Sequence, residues 1–351
     1  MELSKFGYDE EVNKKFMEYA ADEHIIARVA LEHKRIYRVW TSVGELLCEV
    51  SGKFAYTANT REDYPAVGDW VVLLPRELEG KGTIIAVLPR KSKFSRKVAG
   101  TNTEEQIVAT NVDTVLLVNS LNEDLNSRRI ERYLTLTWES GANPVIVLTK
   151  ADLSESVEEA ISLVESVAFG IPIIPVSVVE ESGFEELNKL LLPGKTFALL
   201  GSSGVGKSTL INYLVGYKKQ EVQDIRSDDK GKHTTTHREM ILLQNGCILI
   251  DTPGMRELQL WNSESGLSDS FSDIESLAAN CKFRDCTHTG EKGCAVAIAM
   301  ENGDLLKERL ISYQKLLKEL AFLERKQSKK AQSEEKKKWK QLHKQIKTMK
   351  K

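Results

Sequence analysis

The residues with the clearest chemistry form a glycine-rich loop, GSSGVGKS, at positions 201–208. It matches G-x-x-x-x-G-K-[ST] in full and lies between a strand-like run and a helix-like run. Glycines in such a loop let backbone N–H groups face phosphate oxygens, and the helix N-terminus adds partial positive charge. We expect Lys207 to reach the β- and γ-phosphates and Ser208 to bind Mg²⁺; the alternative is a glycine-rich turn with a chance lysine. The predicted phosphate-binding residues are Gly201, Ser202, Ser203, Gly204, Val205, Gly206, Lys207, Ser208 and Thr209.

Two segments further along the chain contain groups that would complete a nucleotide site. DTPG, at 251–254, follows the apolar run CILI. Its Asp251 can hold Mg²⁺ through water and its Gly254 N–H can face a γ-phosphate, as in NTPase switch segments. Alone, DTPG would be an ordinary turn. Between the loop and DTPG lies GKHTTTHRE, where Thr235 or Thr236 is the expected Mg²⁺ ligand, although three threonines also suit a solvated turn.

The segment TKAD, at 149–152, closes an apolar strand-like run and precedes the phosphate loop. Guanine offers an N1–H and an exocyclic amine as paired donors, so a fixed Asp152 carboxylate can accept both while Lys150 packs along the ring. Adenine lacks this donor pair, and an unmet buried carboxylate discriminates strongly between bases. The four letters also suit a capped helix start.

The motifs follow one another in an order that ordinary GTPases do not have. TKAD comes first, then PVSVV, the phosphate loop, the Thr-rich segment and DTPG. Cyclic reordering of strand–helix units explains this order, because the termini of compact domains often lie close together and permutation is tolerated. Strands alternate with helices across these motifs, which predicts a parallel sheet covered on both faces. Asn245-Gly246 predicts a hairpin within this domain.

Five short β-like runs lie upstream, between about residues 25 and 88, and are separated by Gly, Pro, Asn and Asp. They fit a small Greek-key barrel of the OB type, and another five-stranded β-module is the alternative. Cys48 and Cys247 sit in β-like runs and are expected to be small core residues.

Three of the five cysteines and one histidine crowd into fourteen residues: Cys281, Cys286, His288 and Cys294. Three thiolates and an imidazole form a closed tetrahedral set suited to one structural Zn²⁺ per chain, with no open position for catalysis. Unliganded loop cysteines are the alternative. Beyond the cluster, leucines recur at helical spacing and predict a helix with one apolar face. The leucines assigned to that face are Leu306, Leu310, Leu317 and Leu320.

Bulk composition indicates several modules, because 351 residues exceed one ordinary core. The formal net charge is −2, yet residues 325–351 hold twelve lysines and arginines against two glutamates, so the tail is basic and the body acidic. Lys282, Arg284 and Lys292 surround the cluster, and with the tail they could meet RNA phosphates; a merely solvated tail is the alternative.

No apolar run of membrane-spanning length and no secretory signal is found, so we expect a cytoplasmic protein that binds no membrane.

The chain resembles the circularly permuted GTPases of the RsgA type, the ribosome small-subunit-dependent GTPases. The resemblance lies in the order of its parts: an N-terminal barrel, then the permuted motifs, then a C-terminal Cys/His module. The resemblance covers about residues 25–325. It implies that Thr149, Lys150 and Asp152 read guanine and that Ser177 supports the base. Thr149 stands where the family usually has Asn, which removes a side-chain amide; we expect guanine selectivity to survive through Asp152.

The resemblance also implies how the protein acts. Many GTPases position the attacking water with a Gln directly after DxxG, but here this position is Met255. His233, beside the Thr run, is the implied catalytic residue, and an exposed loop histidine is the alternative. The implied function is GTP hydrolysis, stimulated by the small (30S) ribosomal subunit, in a monomeric late-stage assembly factor that binds 16S rRNA. The alternatives are an RNA-binding module that uses GTP as a structural or sensing ligand, and a P-loop kinase.

The expected organisation has four parts. They are an OB-type barrel with an N-terminal extension over 1–95, a circularly permuted GTPase domain over 96–262, a zinc-binding module with a helix over 263–325, and a basic tail over 326–351.

Overall fold

The computed structural model describes residues 2–19, 21–97, 105–122, 125–216, 238–251 and 264–321. The chain divides into two compact units, Met1–Gln259 and Leu260–Lys351. Within the described ranges, no helix is both long and apolar enough to cross a membrane.

The first unit contains a closed five-stranded barrel. Its strands are β1 (Ile25–His33), β2 (Ile36–Thr41), β3 (Gly44–Val50), β4 (Trp70–Arg76) and β5 (Lys81–Val87). They pair in the order β1-β2-β3-β5-β4, and β4 pairs back with β1. Only the β3–β5 pair among these is parallel. The OB-type barrel predicted from the sequence is therefore confirmed. Apolar side chains fill its interior, and Cys48 is among them, as expected.

Two helices and two strands in the described part of this unit were not predicted. Helix α1 (Glu10–Met17) precedes the barrel, and helix α2 (Gly52–Thr57) connects β3 to β4. Strands β6 (Lys93–Lys97) and β7 (Glu105–Thr110) form a separate two-stranded sheet. The β6 segment KFSRK is rich in lysine and arginine, so its sequence lacks the alternation that reveals a strand.

A mostly parallel sheet forms the rest of the first unit. Its strands are β8 (Thr114–Ser120), β9 (Asn143–Thr149), β10 (Ile173–Val176), β11 (Thr196–Leu200), β12 (Arg238–Leu242) and β13 (Ile248–Asp251). The spatial order is β10-β9-β8-β11-β13-β12, so β11 is central. On one side of β11 lie β8, β9 and β10, which precede it in the chain. On the other side lie β13 and β12, which follow it. This arrangement agrees with the predicted permutation. β12 and β13 are antiparallel, as the Asn245-Gly246 signal predicts.

Within the described residues, four helices accompany this sheet. They are α3 (Ser127–Ser140), α4 (Val157–Glu165), α5 (Phe184–Leu190) and α6 (Lys207–Val215). The Asn126 side chain caps α3 by accepting a hydrogen bond from the Arg129 N–H at 3.1 Å. Apolar residues of β8, β9 and β11 pack with α5 and α6 into one core that also holds Cys247, which confirms its expected core position. β12 additionally pairs with β1, so barrel and nucleotide domain share one eleven-stranded sheet.

The second unit is helical where it is described. Its helices are α7 (Glu264–Ser270), α8 (Ser272–Ala278), α9 (Ala295–Asn302) and α10 (307–321). The predicted final helix is present, but the assignment of its apolar face was partly wrong. Leu306 precedes the helix and is 52% exposed, and Leu317 is 39% exposed. The buried face keeps Leu310 and Leu320 of the prediction and includes Tyr313 and Leu316 in place of the other two leucines.

Candidate functional site

The phosphate loop lies where β11 gives way to α6, at the carboxyl edge of the parallel strands. A Cβ at Gly201 would lie 2.3 Å from the carbonyl oxygen of Val118, so only glycine fits there. Gly206 has φ 92° and begins the turn into α6. Lys207 Nζ donates to the Gly201 carbonyl at 2.7 Å and also contacts the Ser202 carbonyl. The lysine therefore folds back along its own loop, at the helix end where anions bind.

TKAD lies directly beside this loop, because β9 ends at the same edge of the sheet as β11. Thr149 is buried, and its hydroxyl lies 2.6 Å from the Val205 carbonyl oxygen. The following residue, Lys150, adopts φ 59° and donates from Nζ to the Gly204 carbonyl at 3.1 Å. Two segments far apart in sequence thus form one continuous surface.

The carboxylate of Asp152 is held by a neighbouring strand end. Ser177, which follows β10, donates its hydroxyl to Asp152 Oδ1 at 2.5 Å. Ser177 is fully buried, and backbone hydrogen bonds with Ser182 in both directions fix it. Its Oγ also accepts from the Glu180 N–H at 3.1 Å. The arrangement fixes the direction of the carboxylate, as selective recognition of a base requires.

The expected Mg²⁺ ligands are only partly within the described residues. Ser208 and Thr209 are exposed in the first turn of α6. Asp251 ends β13, and because β13 runs parallel to β11 it reaches the same edge of the sheet. This placement fits a magnesium ion bound with a nucleotide. Four further predicted residues lie outside the described ranges: His233, Thr235, Thr236 and Gly254.

Two polar residues beside the loop were not predicted from the sequence. Tyr133, on α3, places its hydroxyl 3.4 Å from Ser202 Oγ. Asn119, near the end of β8, is 1% exposed. Neither belongs to a motif. The one available signal was the polar Asn119 directly after the apolar stretch VLLV at 115–118.

The second unit brings Cys281, Cys286, His288 and Cys294 together, with ligand atoms all within 4.8 Å of one another. Cys281 Sγ and Cys294 Sγ are 3.9 Å apart, and His288 Nδ1 lies 3.7 and 3.5 Å from these two sulfurs. Tetrahedral Zn²⁺ requires about 3.8 Å between sulfurs and about 3.6 Å between sulfur and nitrogen. The cluster therefore has the donor set and the spacing of a metal site.

Glu291 holds the loop between Cys286 and Cys294 in shape. Its carboxylate accepts from the Thr287 hydroxyl and from the backbone N–H groups of Thr287 and Thr289, at 2.8 and 2.7 Å. These bonds, that of the Thr287 hydroxyl foremost, lower the pKa of Glu291 to about 2. The cluster loop is thus organised by its own side chains.

The central glycine loop, the adjoining TKAD corner and the permuted strand order define a P-loop nucleotide-binding protein of the GTPase class. The model of the RsgA GTPase family matches residues 87–261, and that of the 50S ribosome-binding GTPase family matches 196–344. The small ribosomal subunit biogenesis GTPase RsgA 1 of Oceanobacillus iheyensis is 48% identical over 340 residues, which cover 96% of this chain and 95% of that protein. The corresponding RsgA of Opitutus terrae is 42% identical over 353 residues, or 98% and 96% of the two chains. The chain belongs to the RsgA GTPase family.

Solved structures show the same fold. YjeQ from Thermotoga maritima superposes with a TM-score of 0.66 at 28% identity, over 85% of this chain and 99% of that one. YloQ, described as a circularly permuted GTPase, superposes with a TM-score of 0.62 at 24% identity, over 86% of this chain and 97% of that one.

Proposed function

We propose that this chain hydrolyses GTP and acts in the biogenesis of the small ribosomal subunit. Relatives that span nearly its whole length are named small ribosomal subunit biogenesis GTPases. The structural observation that supports the proposal most directly is the contact of Thr149 and Lys150 with the phosphate loop, because one nucleotide could then reach both TKAD and the loop.

Guanine recognition is assigned to the TKAD corner. Asp152 accepts from the guanine N1–H and amine, Lys150 packs along the ring, and Ser177 orients the carboxylate. The buried Thr149 hydroxyl is directed at the phosphate loop, so it contributes by holding the two parts of the site together. Replacing the family's usual Asn with Thr thus keeps a polar link to the loop.

Phosphate binding and hydrolysis are assigned to the loop and its neighbours. Backbone N–H groups of Gly201–Thr209 bind phosphate oxygens, and Lys207 moves from its loop carbonyls to the β- and γ-phosphates. Ser208, Asp251 and a threonine, Thr235 or Thr236, would hold Mg²⁺, which neutralises charge on the phosphates when bound. His233 is proposed to orient the water that attacks the γ-phosphate, because Met255 has no amide to do so.

The Cys/His cluster is proposed to bind one structural Zn²⁺. Lys282, Arg284 and Lys292 lie along it in sequence, and the tail adds further positive charge, so we propose contact with 16S rRNA phosphates. We propose that the protein acts in the cytoplasm, where ribosomes are assembled, and that it does so as a monomer.

The decisive experiment measures phosphate release from GTP with and without purified small ribosomal subunits. We expect slow release alone and at least about tenfold faster release with subunits. Lys207→Ala should abolish release, whereas Lys189→Ala, an exposed lysine on α5, should not change it. Binding of GTP without any release in either condition would favour the non-enzymatic RNA-binding alternative, and transfer of phosphate to another molecule would favour a kinase.

A further inference from the structure

Asn119 carries a buried polar atom without a partner. Its side chain is 1% exposed, and its Oδ1 makes no hydrogen bond within the described part of the chain. Its Nδ2 donates at 3.2 Å to the Leu117 carbonyl of its own strand. Such an oxygen has lost its hydration without compensation, and native proteins rarely keep one without a reason.

The position of Asn119 connects this oxygen to the phosphate loop. β8 lies between β9 and β11, and Leu200 of β11 pairs with Leu117. Extending this register by two residues places Ser202, the second loop residue, beside Asn119. Gly201 already lies so close to β8 that a Cβ there would overlap the Val118 carbonyl. On the other flank, the Thr149 hydroxyl is 3.2 Å from the Asn119 backbone carbonyl.

The hydroxyl of Ser202, at this register position, is a hydrogen-bond donor. It lies 3.4 Å from the Tyr133 hydroxyl, which is at the long limit for a hydrogen bond between oxygens. The serine hydroxyl is therefore weakly held and is able to rotate toward another acceptor. Its backbone carbonyl accepts from Lys207, whose ammonium must leave the loop to reach a phosphate. Nucleotide binding thus changes the surroundings of Ser202 directly.

We propose, on the basis of the GTP binding proposed above, that Asn119 is a positioning residue of the phosphate loop. Its Oδ1 accepts a hydrogen bond from the Ser202 hydroxyl when phosphates occupy the loop, and Tyr133 supports the serine from α3. The bond forms in the bound state and is missing in the free state, so it contributes to nucleotide affinity and not to the stability of the free protein.

Replacing Asn119 with Leu tests this because leucine has a similar shape and no acceptor. We expect the melting temperature of the free protein to stay unchanged or rise, since the unpaired oxygen is gone. Affinity for GDP and GTP should fall about tenfold, the factor that corresponds to one neutral hydrogen bond. A purely structural asparagine predicts the opposite pattern, a lower melting temperature with unchanged affinity. Asn143→Leu, the same change at the amino end of β9, is the control and should leave affinity unchanged.

A double-mutant cycle on Ser202 and Tyr133 tests the donor side of the proposed hydrogen bond, even where Asn119→Leu fails to fold. Ser202→Ala and Tyr133→Phe should each weaken GDP binding, and the double variant should bind no more weakly than Ser202→Ala alone. Fully additive losses, or wild-type affinity in Ser202→Ala, would overturn the inference. If the wild-type protein binds neither GDP nor GTP, the proposed function itself is refuted. If the wild-type protein and Asn119→Leu both bind these nucleotides normally, only the inference about Asn119 is refuted.

Discussion

The hydroxyl oxygen of Thr149 lies 2.6 Å from the carbonyl oxygen of Val205, and this contact joins the end of β9 to the phosphate loop across 56 positions of sequence. The adjacent Lys150 contacts the adjacent Gly204. Two consecutive residues of one segment therefore hold two consecutive carbonyls of the other. The position of the phosphate loop relative to the TKAD segment depends on these bonds.

Thr149→Val tests this link, because valine keeps the branched shape and removes the hydroxyl. Affinity for GDP and GTP should fall about tenfold, as expected for one buried hydrogen bond, while the preference for guanine over adenine persists. Titration with a fluorescent GDP analogue measures the change. Thr149→Ser keeps the hydroxyl and is the matched control. Wild-type affinity in Thr149→Val would show that the contact does not shape the site.

Asp152→Asn tests the assignment of the guanine-reading residue. Asparagine presents an N–H group where the carboxylate accepted one from guanine, so GTP affinity should fall about 10³-fold. Xanthine carries a carbonyl oxygen in place of the amine, and the variant should therefore prefer xanthosine triphosphate. Competition binding with both nucleotides gives the ratio. Glu155→Gln changes an exposed carboxylate three residues away and should bind GTP normally. An unchanged nucleotide preference in Asp152→Asn would contradict the assignment.

Local motifs made much of this site predictable. The glycine loop could be predicted because its backbone conformation depends on its own residues. Gly201 and Gly206 occupy positions that other residues do not fit easily. The metal cluster was readable because its donors lie within fourteen residues. The order of motifs then indicated a permuted domain before any contact was known.

Contacts between distant segments were not predictable in the same way. The bond of Thr149 to Val205, the approach of Tyr133 to Ser202 and the closure of the barrel by β1 and β4 depend on how the sheet assembles. The last helix shows the limit within one element. Its leucines predicted a helix correctly, but which face is buried depends on the neighbours it packs against.

Removal of the metal tests the Cys/His cluster. Purified protein should contain one zinc per chain, and Cys294→Ser should lose it, because the buried Cys294 sulfur would be one of the four proposed ligands. Metal loss should make residues 264–321 sensitive to protease, since such a site contributes about 10 kcal/mol or more to folding a small module. Elemental analysis and limited proteolysis measure these effects.

Cys247→Ala is the matched control for the metal experiment. Cys247 lies in the core of the nucleotide domain, so the variant should retain a full complement of zinc. GDP binding should survive removal of zinc, because the phosphate loop belongs to the other unit. Full zinc content in Cys294→Ser would refute the proposed ligand set.

Arg28 lies in β1, within the run IIARVAL, and no sequence motif predicted its structural role. Only 2% of it is exposed, and it donates to the carbonyls of Phe6, Gly68 and Asn111. It also donates at 2.8 Å to the hydroxyl of Thr196, the first residue of β11. Burial lowers the pKa of Arg28 to about 10, so it remains charged at neutral pH. One side chain thus connects the N-terminal segment, the barrel and the strand that leads into the phosphate loop.

Arg28→Met should therefore destabilise the first unit by about 3 kcal/mol, because methionine leaves several buried carbonyls without donors. Urea unfolding followed by tryptophan fluorescence measures the loss, since Trp70 lies 5.3 Å from the guanidinium. Arg76→Met is the control: its side chain is 52% exposed and pairs with Glu79 on the surface, a contact worth less than about 1 kcal/mol. Equal stability of the two variants would mean that the carbonyls around Arg28 find other donors. A loss confined to Arg28→Met would instead show that a buried cation, with no carboxylate among its hydrogen-bond partners named above, holds three segments of the chain together through the four hydrogen bonds described above.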